Sequence, residues 1–421
     1  MSGMARAPVL SDAFVRNGAA CRWSELLAEL IKTPSIFGQE EEILAFVGQR
    51  LVQLGLRTDR VNFDGEKLRC LAGAQPPFSA KPGRHNLVAR IPGHGGGRSL
   101  VLNCHLDVVP SGPEEAWSHP PFSGYIDKES NIIYGRGATD DKAGVAIALA
   151  LLEIVATGTY DLAGDLIVQF VLEDETTGNG TLLCLEAGHG GTAAVILDGT
   201  RGEKAITQHA GNLQFSIQLA GKPASVSVSH IGVNAAEMMS ELLLGLRHDI
   251  FALNVGRPVP WDRFPSPNQF VTQSICSVGR PLTVPDTAEA LCYLTFTPPA
   301  TVAGMRRRIE EFVRSFALSR NISVPILRWD GWFAVDPVAS TTGPLEGVMQ
   351  EAAKVMGRSA IDFGPSTGTS DLRHFVSYGI PCVLFGPGPG FNPHREDEHF
   401  HLEGLAEMVA VMLEIIRRWT G

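Results

Sequence analysis

The sequence predicts an α/β protein in which a three-layer αβα domain with a mostly parallel sheet is interrupted by an inserted α+β domain of the ferredoxin-like type. Short apolar strands alternate with helices in the first half of the chain, and this pattern returns after residue 333. The stretch between them, residues 211–333, follows a different order of strands and helices. We therefore expect one domain from residues 1–210 and 334–421 and a second domain from residues 211–333.

The first segment begins with two helices, at residues 23–31 and 41–54, where apolar side chains recur at helical spacing. An alanine-rich helix is expected at residues 143–156. Short apolar runs predict four buried strands, at residues 86–91, 99–104, 166–172 and 193–197. Strands that alternate with helices usually form a parallel sheet that is covered on both faces, and we expect this arrangement here.

The middle segment predicts a ferredoxin-like unit in the order βαββαβ. Its strands are expected at residues 213–219, 270–278, 290–296 and 322–329, and its helices at residues 235–246 and 302–316. The last segment adds a helix, a strand and a helix, at residues 345–355, 382–385 and 402–419. An antiparallel sheet leaves edge strands that can pair symmetrically. We therefore expect a homodimer through this unit, with residues 213–219 and 235–246 as its contacts.

Composition limits the partners and the compartment. The chain has 45 Asp and Glu against 35 Lys and Arg, a formal charge of −10, and no basic run. We therefore expect no nucleic acid and no anionic membrane surface as a partner. The longest apolar stretches are far shorter than the ~20 residues of a membrane span. The seven cysteines are scattered singly without a CxxC pair, which indicates reduced thiols in a cytoplasmic protein.

His105 and Asp107 follow a predicted strand in the sequence LNCHLDVVP. Because they are two residues apart on an extended segment, their side chains point to the same face. Such a pair suits an imidazole that binds a metal through one ring nitrogen and donates to the carboxylate through the other. A strand-end His with a hydrogen-bonded Asp is the alternative.

Carboxylates follow two further predicted strands. Glu173, Asp174 and Glu175 come directly after one apolar strand, and Asp198 follows the next. Like charges packed at a strand end are unfavourable unless a cation or protons neutralise them, although a solvated acidic turn is the alternative for the triplet. Asp140 lies in the glycine-rich turn YGRGATDDKAG, where it could instead cap the following helix.

A second imidazole, His394, lies in GPGPGFNPHREDEHF after the last predicted strand. The carboxyl ends of parallel strands meet at one edge of a sheet, and ligands gather there. Two imidazoles and three carboxylates at this edge suit two Zn²⁺ ions, or Co²⁺ or Mn²⁺, that share a carboxylate. Two acids are then left for orienting a ligand and for base catalysis: Asp107 and Asp174.

Six motifs occur in order along the chain: HLDVVP, Trp117 followed by PPF, YGRGATDDKAG, EDETTGNGT, LDG and GPGPGFNPHREDE. Together they resemble the family of acetylornithine deacetylase and succinyl-diaminopimelate desuccinylase, which also includes aminoacylases, carboxypeptidases and di-zinc exopeptidases. The resemblance implies a metal-dependent hydrolase that cleaves an amide-type C–N bond of a small molecule, and a lid that often dimerises. It also implies metal ligands at His105, Asp140, Glu175, Asp198 and His394, with Asp140 as the bridging ligand and Asp107 orienting His105.

The base position differs from that of the family. In the family, two adjacent glutamates precede a glycine-rich turn, the first acting as general base and the second as metal ligand. Alignment on the Gly-Asn-Gly turn at residues 178–180 puts Asp174 at the base position and Glu175 at the ligand position. Since Asp is shorter than Glu by about 1.5 Å, either Asp174 acts through an adjusted water or Glu173 does the work.

The predicted lid departs from the family at three polar positions. Ser225 replaces a His that stabilises the oxyanion, Leu282 replaces an Asn, and Thr295 replaces an Arg that binds a substrate carboxylate. Three other residues are candidates to replace these contacts, although each could equally face solvent: His209, His230 and Arg280. We therefore expect a substrate other than an ordinary N-acyl amino acid with a free carboxylate. The alternatives are a deformylase or hydrolytic deaminase of a non-amino-acid amine, for instance an aromatic one, and a catalytically silent metal-binding homologue.

Overall fold

The computed structural model describes residues 20–78, 83–158, 160–200, 202–387 and 392–421. Its helices are α1 (Ala20–Ile31), α2 (Glu41–Gln53), α3 (Gly65–Cys70), α4 (Lys142–Ala156), α5 (Asn179–Glu186), α6 (Ala235–Ala252), α7 (Val302–Arg320), α8 (Pro344–Val355), α9 (Leu372–Ser377) and α10 (Glu403–Thr420). The start of the predicted first domain, residues 1–19, and part of the last motif, residues 388–391, lie outside the described residues.

The strands form three sheets among the described residues. They are β1 (Thr58–Asn62), β2 (His85–Ile91), β3 (Leu100–His105), β4 (Tyr125–Asp127), β5 (Ile132–Tyr134), β6 (Leu166–Val171), β7 (Ala193–Ile196), β8 (Lys204–His209), β9 (Gly211–Ala220), β10 (Gln269–Cys276), β11 (Thr287–Phe296), β12 (Ile326–Arg328), β13 (Ala334–Val335), β14 (Val338–Ala339), β15 (Asp362–Ser366), β16 (Cys382–Leu384) and β17 (His399–His401). The smallest sheet has the order β17-β5-β4.

The large sheet has the order β1-β2-β6-β3-β7-β16-β8-β14, with β15 paired to β8. The strands at its centre, β6, β3, β7 and β16, pair in parallel. On one flank β1 and β2 are antiparallel to their neighbours, and on the other β8 runs antiparallel to β16 and β14. The prediction of a mostly parallel sheet is confirmed for the centre, where the carboxyl ends of four strands meet at one edge.

Helices cover this sheet on both faces, which confirms the predicted three-layer arrangement. Residues of β6 alternate between two apolar cores, as expected for side chains that point to opposite faces. Leu166, Val168 and Phe170 face the core beneath α1, α2, α4, α8 and α10. Ile167 and Val171 face the core beneath α3, α5 and α9.

Helix α4 begins beside the edge where the strands end, and a buried lysine fixes its start. Lys142 is fully buried. Its Nζ donates to the carbonyl oxygens of Leu30, at 2.9 Å, and Thr33, at 2.7 Å, where α1 ends. Burial lowers the pKa of Lys142 to about 7. A cationic donor is favourable at a helix C-terminus, so this contact joins α1 to α4.

A second sheet has the order β10-β11-β9-β12, with β13 also paired to β9. We call residues 211–329, which contain β9 to β12 of this sheet together with α6 and α7, the ferredoxin-like unit. Its strands and helices follow the predicted order βαββαβ. The unit has an apolar core of its own, which includes Phe215, Leu242, Leu294 and Ile309.

The structure shows which strands of this unit lie at the edges of its sheet. Strand 213–219 was expected at a subunit contact, but β9 lies inside the sheet between β11 and β12. The edge strands are β10, on which Val271 and Ile275 are exposed, and β12, on which Ile326 is exposed. The order of strands within a sheet depends on connections that local sequence patterns do not encode.

Shorter strands escaped prediction because their apolar runs are brief or interrupted by Pro and Gly. These are β1, β8, β14 and β15 of the large sheet, β13 of the second sheet and the three strands of the smallest sheet. None of the described helices is long and apolar enough to cross a membrane. All seven cysteines lie in the described residues and are free thiols.

Candidate metal centre

The predicted site residues lie together at the carboxyl edge of the parallel strands. His105 is the last residue of β3, Asp174 and Glu175 follow β6, and Asp198 follows β7. Asp140 precedes α4, and His394 follows β16. Residues that are far apart in sequence therefore meet because their strands are neighbours in one sheet.

The carboxylate of Asp140 lies between the two imidazoles. Its Oδ1 is 2.9 Å from Nε2 of His105, and its Oδ2 is 3.3 Å from Nε2 of His394. Nε2 of His394 is also 2.9 Å from Oε2 of Glu175. The side chain of Asp140 thus faces two separate ring nitrogens and does not cap α4. This position is compatible with the bridging role that the family resemblance implies for Asp140.

Two sets of three side chains could each hold a metal ion. His105 with Asp140 and Glu175 forms one set, and His105 with Asp174 and Asp198 forms the other, with ligand atoms within 4.8 Å of one another. Burial raises the pKa of Asp174 and Asp198 to about 6 and that of Glu175 to about 8, and the charge of Asp140 adds to each effect. A divalent cation would relieve this crowding of carboxylates, so the donor set fits Zn²⁺, Co²⁺ or Mn²⁺.

The imidazoles compensate the same charge by holding protons. Hydrogen bonds to Asp140 and Glu175 raise the pKa of His394 to about 10. Burial opposes the charged form of His105, but its hydrogen bond to Asp140 and the nearby carboxylates hold the pKa well above its ordinary value. Metal binding requires neutral imidazole, so the binding of a cation would release these protons.

Asp107 orients the ring of His105 through its backbone. Nδ1 of His105 is 2.9 Å from the carbonyl oxygen of Asp107, whereas the carboxylate Oδ1 lies at 3.7 Å. The carboxylate instead accepts a hydrogen bond from the backbone N–H of Glu175, at 3.3 Å. Asp107 therefore fixes two residues of the cluster at once, and burial raises the pKa of its carboxyl to about 6.

Glu173 belongs to a separate, buried ion cluster. Its carboxylate accepts hydrogen bonds from Arg84 and from the hydroxyl of Thr177. Arg84 also donates to Glu40, at 2.6 Å from Nη2 to Oε1, and all three charged residues are almost completely buried. Glu173 has a φ of 72°, a strained conformation for a residue with a side chain. This turn directs Glu173 away from the metal-ligand candidates and leaves Asp174 among them.

We expect Glu173→Gln to destabilise the fold without removing metal. The substitution takes a charge from a buried cluster, and hydrogen bonds to charged groups contribute about 1.5–3 kcal/mol each. Thermal unfolding should therefore show a lower midpoint, with metal content per chain unchanged. Glu42→Gln is the matched control, because Glu42 is exposed on α2. Equal midpoints for both variants would contradict a stabilising role for Glu173.

A buried glutamate that sequence patterns did not single out holds the turn before α4. Glu398 accepts hydrogen bonds from the backbone N–H groups of Gly137 and Thr139, each at 3.0 Å, and of Asp140, at 3.3 Å. Arg136 donates to the same carboxylate, at 2.6 Å. One side chain thus fixes the backbone that presents Asp140. Its one signal in the sequence is that Glu398 ends the motif GPGPGFNPHREDE, which also contains His394.

Arg373 holds the segment that follows the acidic triplet. Its Nη2 donates to the carbonyl oxygen of Thr177, at 2.7 Å, and its Nη1 to that of Ser370, at 2.8 Å. Asp371 lies 3.7 Å from the same guanidinium, and burial raises the pKa of Asp371 to about 8. The loop carrying Asp174 is therefore held by buried charges on both flanks, by Arg84 and by Arg373.

A cavity of about 960 Å³ adjoins the cluster. Asp140, Asp198 and His394 line it, together with Arg263 and Phe264 of the ferredoxin-like unit. The three residues considered as replacements for the missing contacts do not line it in the described structure: His209, His230 and Arg280. The cavity gives a small molecule access to the metal-ligand candidates.

Comparison with known proteins identifies the class. Residues 101–418 match the model of "Peptidase family M20/M25/M40". N-formyl-4-amino-5-aminomethyl-2-methylpyrimidine deformylase of Bacillus subtilis is 25% identical over 367 residues, 80% of this chain and 84% of that protein. Succinyl-diaminopimelate desuccinylase of Stutzerimonas stutzeri is 26% identical over 420 residues, 93% of this chain and 94% of that protein.

The fold is similar to that of the di-peptidase Dug1p from Saccharomyces cerevisiae. The TM-score is 0.75 at 15% identity, over 98% of this chain and 99% of that one. Fold, cluster and family match together define a metal-dependent hydrolase of amide-type C–N bonds. The chain belongs to peptidase family M20/M25/M40, which confirms the family predicted from the motifs.

Proposed function

We propose that the chain holds two divalent metal ions, with zinc as the favoured metal, through His105, Asp140, Glu175, Asp198 and His394. The observation that carries this proposal is the position of Asp140, whose two oxygens face two different imidazoles. Each metal would then have one His, one unshared carboxylate and the shared Asp140. His/carboxylate sites also accept Co²⁺ and Mn²⁺, so all three metals would be compared in a screen of substrates.

The metals would lower the pKa of a bound water and polarise the substrate carbonyl. Asp174 is the proposed general base, since its carboxylate lies with those ligands while Glu173 is held by Arg84. Deprotonation of water by Asp174 would precede attack on the carbonyl carbon, and the same carboxyl would then deliver the proton to the leaving amine. Asp107 and Glu398 act by positioning His105, Glu175 and the turn at Asp140.

The proposed reaction is removal of an acyl or formyl group from a small amine. The Bacillus subtilis relative is a deformylase and the Stutzerimonas stutzeri relative is a desuccinylase. The departures at Ser225, Leu282 and Thr295 support a substrate contacted differently from an ordinary N-acyl amino acid. Formamide hydrolysis of an aromatic amine is the second candidate, favoured by the similarity to the pyrimidine deformylase.

A screen of metal-loaded protein separates these candidates. N-formyl, N-acetyl and N-succinyl derivatives of the same aromatic amine would be tested with Zn²⁺, Co²⁺ and Mn²⁺. We expect hydrolysis of at least one derivative. The acyl group that is removed fastest then indicates the substrate class. Stoichiometric metal binding with no hydrolysis of these amides or of dipeptides would instead support the catalytically silent alternative.

We further propose that residues 211–333 form a separate domain that acts as a lid, and that β10 mediates homodimerisation. Val271 and Ile275 are 47% and 51% exposed on this edge strand. Unpaired edge strands with apolar side chains favour pairing with a second copy. The cytoplasmic location remains a prediction from the free thiols.

Sedimentation at micromolar concentration should therefore give a dimer for the intact protein. Val271→Lys with Ile275→Lys should shift it to monomer, because charges on an edge strand oppose pairing. Leu318→Lys is the control, since Leu318 is 76% exposed in the same unit but lies on α7, off both edge strands. A monomeric parent protein would refute the dimer.

A further inference from the structure

The loop between α6 and β10 is firmly held at its base. Nδ2 of Asn254 donates to the carbonyl oxygen of Asn268, and the backbone N–H of Asn268 donates to Oδ1 of Asn254, both at 2.9 Å. Nη1 of Arg257 donates to the carbonyl oxygen of Asn254, at 2.6 Å. Trp261 is 2% exposed and anchors the far part of the loop. The structure thus fixes the position of the residues that follow Trp261.

Those residues, Arg263 and Phe264, enter the cavity that Asp140, Asp198 and His394 also line. Nη1 of Arg263 donates to Oδ2 of Asp362 on β15, at 3.2 Å. The guanidinium rests over Gly364, where an added Cβ would lie 2.5 Å from Nη1. Strand β15 therefore provides both a carboxylate and the free space that this arginine needs.

Arg263 can bind a second anion while it contacts Asp362. A guanidinium has five N–H donors in a planar fork. Among the described residues, Arg263 donates to Asp362 through Nη1, and its other donors are left for a second partner. The side chain remains 41% exposed. A carboxylate matches the fork in a bidentate manner. The ring of Phe264 adds an apolar wall beside it.

Arg263 is the one arginine among the described residues that line the cavity, and Lys204 is the second cation there. Thr295, which stands where the family resemblance implies a carboxylate-binding arginine, donates its hydroxyl to the carbonyl oxygen of Pro267, at 2.9 Å. Pro267 belongs to the same loop as Arg263. The threonine therefore helps to hold the loop that carries a different arginine to the cavity.

We propose that Arg263 is a specificity-determining residue that binds a carboxylate of the substrate, while Phe264 packs on an apolar part next to it. The inference rests on the proposed function, since the cavity is taken as the substrate site. The carboxylate lies either on the acyl group or on the amine. Arg263 would bind it from a different position than the arginine that Thr295 replaces, so the substrate would be contacted differently from an ordinary N-acyl amino acid even where it carries a carboxylate.

Three ligands distinguish these sources: N-acetylphenylalanine, N-succinylphenylalaninamide and the neutral N-acetylphenylalaninamide. Their binding is measured by calorimetry with the zinc-loaded Asp174→Asn variant, in which hydrolysis is slow. The value of kcat/KM is measured with protein that retains Asp174. We expect at least one carboxylate ligand to bind about 10-fold or more tightly than the neutral one, as charged hydrogen bonds allow. Arg263→Ala should remove this preference and leave binding of the neutral ligand within a few-fold.

Two further variants make the test specific. Gly364→Ala should weaken the same preference, because its Cβ would displace the guanidinium while Arg263 is retained. Arg247→Ala should keep the preference, since Arg247 is exposed on α6 and does not line the cavity. Equal binding of charged and neutral ligands, or a preference that survives Arg263→Ala, would overturn the inference. Binding preference without any hydrolysis would instead contradict the proposed function and uphold the role of Arg263.

Discussion

Replacing Asp174 with Asn is expected to lower turnover by ~10²–10⁴-fold, the usual contribution of a general base. The substitution keeps the size of the side chain but removes its ability to accept a proton. Metal content should stay at the value of the parent protein, because Asp174 is not among the proposed ligands. The measurement is kcat on a substrate that the parent hydrolyses, together with metal analysis of the same sample.

Glu173→Gln is the control for this result. This control variant should hydrolyse the substrate within a few-fold of the parent rate at a temperature where it is folded, since Glu173 is buried against Arg84. The reverse pattern would move the base to Glu173. Unchanged rates in both variants would reject carboxylate base catalysis from this segment.

Asp140→Ala is expected to weaken the binding of both metals. Removing a residue that hydrogen-bonds to a metal ligand typically lowers the affinity for the metal about 10–100-fold. Removing a ligand that both metals share should lower it more than ~100-fold. The variant would also leave the imidazoles of His105 and His394 without the carboxylate that lies between them. Metal analysis after extensive dialysis, with isothermal titration of Zn²⁺, measures the effect.

Asp161→Ala makes the same chemical change away from the cluster, because the side chain of Asp161 is 89% exposed. This control should bind metal as the parent does. Two equivalents of metal retained by Asp140→Ala would show that the bridging assignment is wrong. Loss of one equivalent with normal binding of the other would assign Asp140 to a single metal.

Local patterns predicted the elements that position the candidate site. The apolar runs that become β3, β6 and β7 each end next to a charged or metal-binding side chain, and parallel pairing brings these ends together. The alternative for the acidic triplet, a solvated turn, is wrong, because Glu173 is buried and bonded to Arg84. Glu173 and Asp174 are instead directed to different buried partners.

The supporting residues could not be predicted because their contacts cross long stretches of sequence. Arg84 reaches Glu173 across 89 positions, and Glu398 reaches Gly137 across 261. Arg263 enters the cavity from a loop of the ferredoxin-like unit, a placement that depends on how this unit lies against β15. No periodicity or motif encodes such contacts. The buried charged residues that they join are recognised only when the fold is known.

Zinc titration of chelator-treated protein, followed by hydrolysis of N-formyl and N-acyl amines, tests the central claim most directly. We predict no hydrolysis without metal and a rate that rises with added Zn²⁺ until two equivalents per chain are bound. Hydrolysis that persists after the chelator has removed all metal, or saturation at a single equivalent, would contradict a two-metal site built around Asp140.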